Sequence, residues 1–115
     1  MKEVQDHFFK LAKEEGYRAR SAYKLIEIDD RFKLMRAGSR VLDLGACPGS
    51  WTQVASRRVG DRGLVVGIDL KPIEKRGFGG NVVVMQGDIN ELTRETLPPR
   101  MEGKLFDAVV SDMGP

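Results

Sequence analysis

Val4, Phe8, Leu11 and Ala12 recur at helical spacing among Lys2, Glu3, Lys10, Lys13 and Glu14, and Gly16 closes the run, so the chain is predicted to open with an amphipathic helix. A second helix is predicted from near Ser21, with Ala22, Leu25, Ile26 and Phe32 turned inward. The pattern then changes. Val41, Leu42 and Leu44 form a short apolar run of the kind found in buried parallel strands, and similar runs occupy 64–69, 81–85 and 105–110. Between the first two strands, Ser50 is placed to cap a helix through Trp51, Gln53, Val54 and Ala55. Asn90 is placed to cap a short helix over 91–96, and Pro98-Pro99 breaks the chain before the last strand. Alternation of this kind predicts an α/β fold, a mostly parallel sheet with crossover helices.

Composition adds bounds. A chain of 115 residues makes one domain, and 41% hydrophobic with 31% charged residues fits a globular core with a charged surface. No apolar run approaches a membrane span, and Met1-Lys2-Glu3 is not followed by an apolar leader segment. One cysteine, Cys47, and one histidine, His7, make neither a disulfide nor a structural zinc site, so no metal and a reducing, cytoplasmic setting are expected. The net charge of +2 permits a nucleic-acid partner without demanding one. The charge is uneven, however. Lys10, Lys13, Arg18, Arg20 and Lys24 outnumber Glu14 and Glu15 and are interleaved with Tyr17 and Tyr23, a combination suited to gripping phosphates and stacking on unpaired bases. A solvated helix face has the same composition, and both readings stand on these residues alone.

The candidate chemistry centres on Asp43-Leu44-Gly45-Ala46-Cys47-Pro48-Gly49-Ser50-Trp51, where a strand ends in a glycine turn and a helix begins. Glycine lets backbone approach a ligand, and a helix start offers free N–H groups. A dinucleotide fingerprint would need glycines where Cys47 and Ser50 stand, and no P-loop Gly-Lys-Ser/Thr is present. Asp69 closes the next strand near the ~20-residue offset at which a carboxylate takes the hydroxyls of an adenosine ribose. Asp88 follows the third strand, where it can accept from an adenine amino group, and Asp112 follows the fourth. Four acids (Asp43, Asp69, Asp88, Asp112) on the carboxyl edge of one sheet, without a phosphate cradle, suit an adenosyl ligand with a cationic tail. S-adenosylmethionine is such a ligand.

Taken together, residues 16–24 (GYRARSAYK), 41–51 (VLDLGACPGSW), Asp69-Leu70, Gly87-Asp88 and Ser111-Asp112-Met113 resemble the FtsJ/RrmJ family across essentially the whole chain. The resemblance implies a Rossmann-like S-adenosylmethionine-dependent methyltransferase fold and 2′-O-ribose methylation of ribosomal RNA at a large-subunit uridine. Free RNA or the assembled large subunit would be the partner. It implies a single domain over 1–115, with basic RNA-facing helices in 1–36 and cofactor-binding βα units in 40–115. Cofactor contacts would fall on Asp43, Gly45, Pro48, Gly49, Trp51, Asp69, Asp88 and Asp112, and RNA contacts on Arg18, Arg20 and Lys24. Of the family's Lys-Asp-Lys-Glu tetrad, Lys24 and Asp112 match; the second lysine and the glutamate belong to strands beyond residue 115. The chain is therefore expected to be the N-terminal part of the domain. The full domain would be a monomer, and the shortened one would have an open edge at its fourth strand, prone to self-association. Its rival reading is a non-catalytic RNA- or cofactor-binding fragment. Cys47 and Gly114 stand where the family commonly has alanine, and both are small enough to be tolerated.

Overall fold

The computed structural model describes residues 2–113; Gly114 and Pro115, which end the quoted Asp-Met-x-Pro segment, lie outside them. Two helices, α1 (Lys2–Glu15) and α2 (Ala22–Phe32), precede β1 (Arg40–Leu44). Then come α3 (Ser50–Val59), β2 (Leu64–Asp69), β3 (Val82–Gln86), three short 3-10 turns and β4 (Ala108–Ser111). The sheet order is β3-β2-β1-β4 and every pairing is parallel. The chain leaves β1 toward β2 on one side, while β4 returns to its other side. The two directions of winding thus part at β1, and such a switch point opens a crevice at the carboxyl ends of the strands.

Two hydrophobic layers hold this frame. Val41, Val65 and Val110 turn toward α2 and α3 and pack with Leu25, Trp51, Val54 and Val59. Leu42, Val66 and Ile68 face the other way and pack on Met101 and on the half-buried Leu92, Leu97 and Phe106. Strand alternation puts Asp43 on the helix side with Val41, inside the first layer, where it is 1% exposed.

Several local expectations are corrected. Gly49, not Ser50, is the N-cap of α3: its φ of 110° is open to glycine, and Ser50 becomes the first helical residue. Phe32 points outward and is 62% exposed, because α2 ends there in a left-handed Lys33 that turns the chain away from the core. Asn81 lies outside β3. Its side chain donates to the carbonyls of Ser56 and Gly60 (2.9 and 3.0 Å), capping the end of α3. The helix expected over 91–96 is instead a pair of 3-10 turns, Ile89–Glu91 and Arg94–Thr96, and Asp88 rather than Asn90 caps the first. β4 is shorter than expected, and Leu105 stands 76% exposed. β4 forms one edge of the sheet, and its Val109 is 58% exposed.

Candidate functional site

The turn after β1 is shaped by contacts on both sides. The amides of Gly45 and Ala46 both donate to the Ile68 carbonyl (2.9 and 3.0 Å), which ties the turn to the end of β2. Asp69 then receives the next amide, that of Cys47, on one carboxylate oxygen at 2.9 Å, and the Lys71 amide on the other at 2.9 Å. These bonds fix the carboxylate's orientation while leaving each oxygen a further lone pair for a ligand. Asp88 is held similarly by the Asn90 amide at 2.9 Å. Both acids line a cleft of about 680 Å³ together with Gly45, Pro48, Lys71 and Met113. At Gly45, φ is 71° and a Cβ would come within 2.3 Å of the Met113 side chain.

A smaller chamber of about 60 Å³ adjoins the cleft at Gly45, Cys47 and Pro48 and reaches Ser21, Asp43, Trp51 and Asp112. It sits at the switch point. One oxygen of Asp43 accepts from the Thr52 hydroxyl at 2.8 Å; the other, fully buried, has no hydrogen-bond partner. Burial pushes the Asp43 carboxyl up to about 7, with the negative charges of Asp112 and Asp69 adding to the rise and the Thr52 hydrogen bond opposing it. A buried acid with an unused acceptor is costly in a closed core and suits the approach of a cation.

Asp43 sets a stability prediction with a definite sign. The folded chain binds this proton more tightly than the unfolded chain, whose carboxyl titrates near 3.8. Its contribution to stability is therefore full at low pH and falls as pH rises from about 4 to about 7, by on the order of 4 kcal/mol, then levels off. Asp43→Asn removes that slope, so the difference in urea midpoints between variant and parent widens in the variant's favour from pH 4 to pH 7. Parallel profiles would contradict the assignment.

Catalytic candidates meet beside this chamber. The Lys24 ammonium lies 3.6 Å from an Asp112 oxygen, joining the first turn of α2 to the end of β4. Lys24 is largely solvent-facing, as a substrate-side group must be. Its position is set by a fastening the sequence did not advertise: the Trp51 indole N–H donates to the Ser21 carbonyl at 2.8 Å, and the Ser21 and Ser50 hydroxyls lie 2.9 Å apart. Trp51, 6% exposed, thus holds the start of α2 to the start of α3 at the chamber wall.

Arg20 is exposed beside Lys24, whereas Arg18 departs from its expected role. Its guanidinium is turned onto the protein's own loops, donating to the carbonyls of Pro48, Glu74 and Arg76 and stacking on Phe78. Around Tyr17 and Tyr23 the aromatics pack on one another and on Phe8, with the Arg57 guanidinium over Tyr17. Burial, together with the Glu15 carboxylate that accepts from its hydroxyl, holds the Tyr23 phenol above its ordinary range. Gln53, Thr52 and Phe78 are contributors that the sequence pattern did not single out. Among the described residues no cluster of metal-ligating side chains occurs, and no helix is long and apolar enough to cross a membrane.

A parallel sheet with a ligand crevice at its switch point, an acid on each strand end and a glycine turn after the first strand defines a Rossmann-like methyltransferase fold. The comparisons sharpen this. Residues 17–115 match the family model described as FtsJ-like methyltransferase, and the chain belongs to that family. It is 54% identical over 114 residues to "Ribosomal RNA large subunit methyltransferase E" of Syntrophobacter fumaroxidans, covering 97% of this chain and 56% of that protein. To the protein of the same name from Methanothrix thermoacetophila it is 50% identical, covering 99% of this chain and 43% of that one. The chain thus spans about half the length of these curated relatives. Among solved structures, a Plasmodium falciparum ribosomal RNA methyltransferase superposes with a TM-score of 0.68 at 32% identity, over 86% of this chain and 57% of that one. A protein-L-isoaspartate O-methyltransferase follows at 0.52 and 26% identity, over 75% and 27%.

Proposed function

We propose that this chain is the cofactor-binding and substrate-facing half of an S-adenosylmethionine-dependent 2′-O-ribose methyltransferase acting on large-subunit ribosomal RNA, at a uridine, in the cytoplasm. The observation that carries the proposal is the meeting of Lys24 and Asp112, 3.6 Å apart, where Asp112 shares a chamber with Asp43 that adjoins the cleft lined by Asp69 and Asp88. The residues present suit S-adenosylmethionine. Asp69 offers oriented oxygens to ribose hydroxyls, Asp88 an acceptor for the adenine amino group, and Asp43 an unused buried oxygen for a cationic tail. Gly45, Pro48 and Gly49 let backbone lie against it, and Trp51 braces the wall.

When bound, the cofactor supplies an electrophilic methyl group; the protein's task is to bring a weak nucleophile, the 2′-hydroxyl, into line and relieve it of its proton. Lys24 donates to the hydroxyl oxygen and holds it in place, and Asp112 fixes the direction of the Lys24 ammonium. Arg20, together with Lys24, meets the RNA backbone. Methyl transfer itself is proposed for a polypeptide of the relatives' full length, in which the second lysine implied by the family resemblance takes the hydroxyl proton as the oxygen bonds to the methyl carbon and the sulfonium bond breaks. The 115 residues alone are proposed to bind cofactor, and their β4 edge to favour self-association measurable by sedimentation.

The test uses that full-length polypeptide and large-subunit RNA, with 2′-O-methylation read by mass spectrometry of nuclease digests. Lys24→Ala and Asp112→Ala are each expected to lower turnover by about 10²–10⁴-fold, the order of loss when a nucleophile is no longer held in line, while cofactor affinity changes by less than about threefold. Unchanged turnover in either variant would remove that residue's role. Methylation of a base rather than the ribose would overturn the reaction assigned.

A further inference from the structure

Arg18 sits in the basic stretch before α2, half-buried, yet its guanidinium is engaged by the protein's own carbonyls. One guanidinium nitrogen donates to the Pro48 carbonyl at 2.9 Å and to the Glu74 carbonyl at 2.6 Å; the second donates to the Arg76 carbonyl at 2.5 Å. The plane of the group lies over the Phe78 ring, 4.0 Å from its centre. The base of this arm is itself fastened: the Arg18 amide donates to the Gln53 side-chain oxygen at 2.8 Å, and the same side chain donates to the Gly16 carbonyl at 3.1 Å. Gly49 is part of the seat, since a Cβ there would come 2.8 Å from Phe78 and 3.2 Å from the guanidinium.

The acceptors belong to two loops that each contribute to the large cleft. Pro48 is in the turn after β1 and lines the cleft directly; Glu74 and Arg76 follow Lys71, which lines it from the loop after β2. At their bases the two loops share Asp69, whose oxygens accept the Cys47 and Lys71 amides at 2.9 Å each; farther out, the other side-chain link among the described residues is weak, a Cys47 thiol 3.7 Å from the Pro72 carbonyl. We propose that Arg18 is a positioning residue for the cofactor cleft: it clasps the 47–49 turn to the 71–78 loop and so sets the spacing between Pro48 and Lys71. The proposal rests on the reading of this cleft as the S-adenosylmethionine site. Arginine is the residue required, because its planar fork spreads donors to three separate carbonyls while its face lies on a ring, whereas a lysine ammonium is a compact point charge that cannot span these acceptors and stack flat at the same time.

The experiment titrates S-adenosylmethionine calorimetrically into the parent chain, Arg18→Gln, Arg18→Lys and Phe78→Leu, and follows amide hydrogen exchange in each without ligand. Both Arg18 variants are expected to bind at least about tenfold more weakly, since small misplacements of a binding loop carry losses of that order. Failure of lysine to restore affinity separates geometry from charge. Exchange is expected to quicken in 70–78 and not in 64–69, and Phe78→Leu, which keeps the carbonyl bonds, to show a smaller loss. Should Arg18→Gln misfold, the Arg18→Lys and Phe78→Leu variants decide the matter by the same two readouts. Parent-like affinity with parent-like exchange would overturn the proposal. So would a loss confined to ribosomal RNA binding, with its salt slope lowered by about one, the mark of a phosphate contact. A folded parent chain that takes up no S-adenosylmethionine would overturn the cofactor reading and the positioning role with it; exchange that still quickens in Arg18→Gln would locate that failure in the ligand and not in the clasp.

Discussion

Asp69→Ala raises the dissociation constant for S-adenosylmethionine by at least about 100-fold, the largest binding effect expected of any single change in the cleft. Two losses combine. The carboxylate's contacts to the ribose hydroxyls go, each worth about 1.5–3 kcal/mol as a hydrogen bond to a charged group. The amides of Cys47 and Lys71, which meet the two Asp69 oxygens at 2.9 Å each, lose their acceptors, and the turn and loop that frame the cleft lose their common anchor. Because β1 and β2 are held by buried packing and by the ladder between them, the fold survives. The check is calorimetry on the variant alongside circular dichroism. An affinity within threefold of the parent in a folded variant would show that Asp69 does not hold the ribose.

Arg58→Ala carries the largest expected effect on stability. Arg58, on α3, reaches Asp29 at 3.2 Å and Asp30 at 2.7 Å near the end of α2, and the Asp29 side chain is 2% exposed. Asp29 in turn accepts the Met35 amide at 2.9 Å, which directs the chain from α2 toward β1. Removing the guanidinium strands a buried carboxylate, a change that costs about 3–5 kcal/mol. For a domain of this size that is a fall in Tm of roughly 15–30 °C. The exposed Asp30 partner contributes little by comparison. Asp29→Asn in the same chain removes the stranded charge while keeping an acceptor for Met35, and should recover most of the loss. A Tm drop under about 5 °C for Arg58→Ala, or no recovery in the double variant, would contradict this account.

The strands were readable because parallel strands buried on both faces spell continuous apolar runs, and Leu64–Asp69 is found where the run lies. The positions of the acids that follow them were readable too, because each closes or follows an apolar run, and Asp69 and Asp88 lie on one cleft. Asp43 lies inside such a run, which flags it as costly, but its lone buried oxygen and its Thr52 partner depend on how α3 crosses β1. The stretch 89–101 carries no period, because successive 3-10 turns bury single residues such as Met101 instead of a face, so two 3-10 turns stand where a helix over 91–96 is expected. Phe32 was misread for the reason that periodicity does not say where a helix stops. Arg18 shows the sharper limit. A basic, aromatic-rich segment reads as an RNA surface, but main-chain carbonyls 30 to 58 residues away leave no mark in the sequence, and they are what the guanidinium meets. Lys24 and Asp112, far apart in sequence, are brought together only by the return of β4 beside β1.

The most direct test of the central claim is a calorimetric titration of the 115-residue chain with S-adenosylmethionine, beside circular dichroism to establish that it is folded. Saturable one-to-one binding that weakens in Asp69→Ala is the predicted result. A folded chain that takes up no ligand would contradict the assignment of this crevice as a cofactor site.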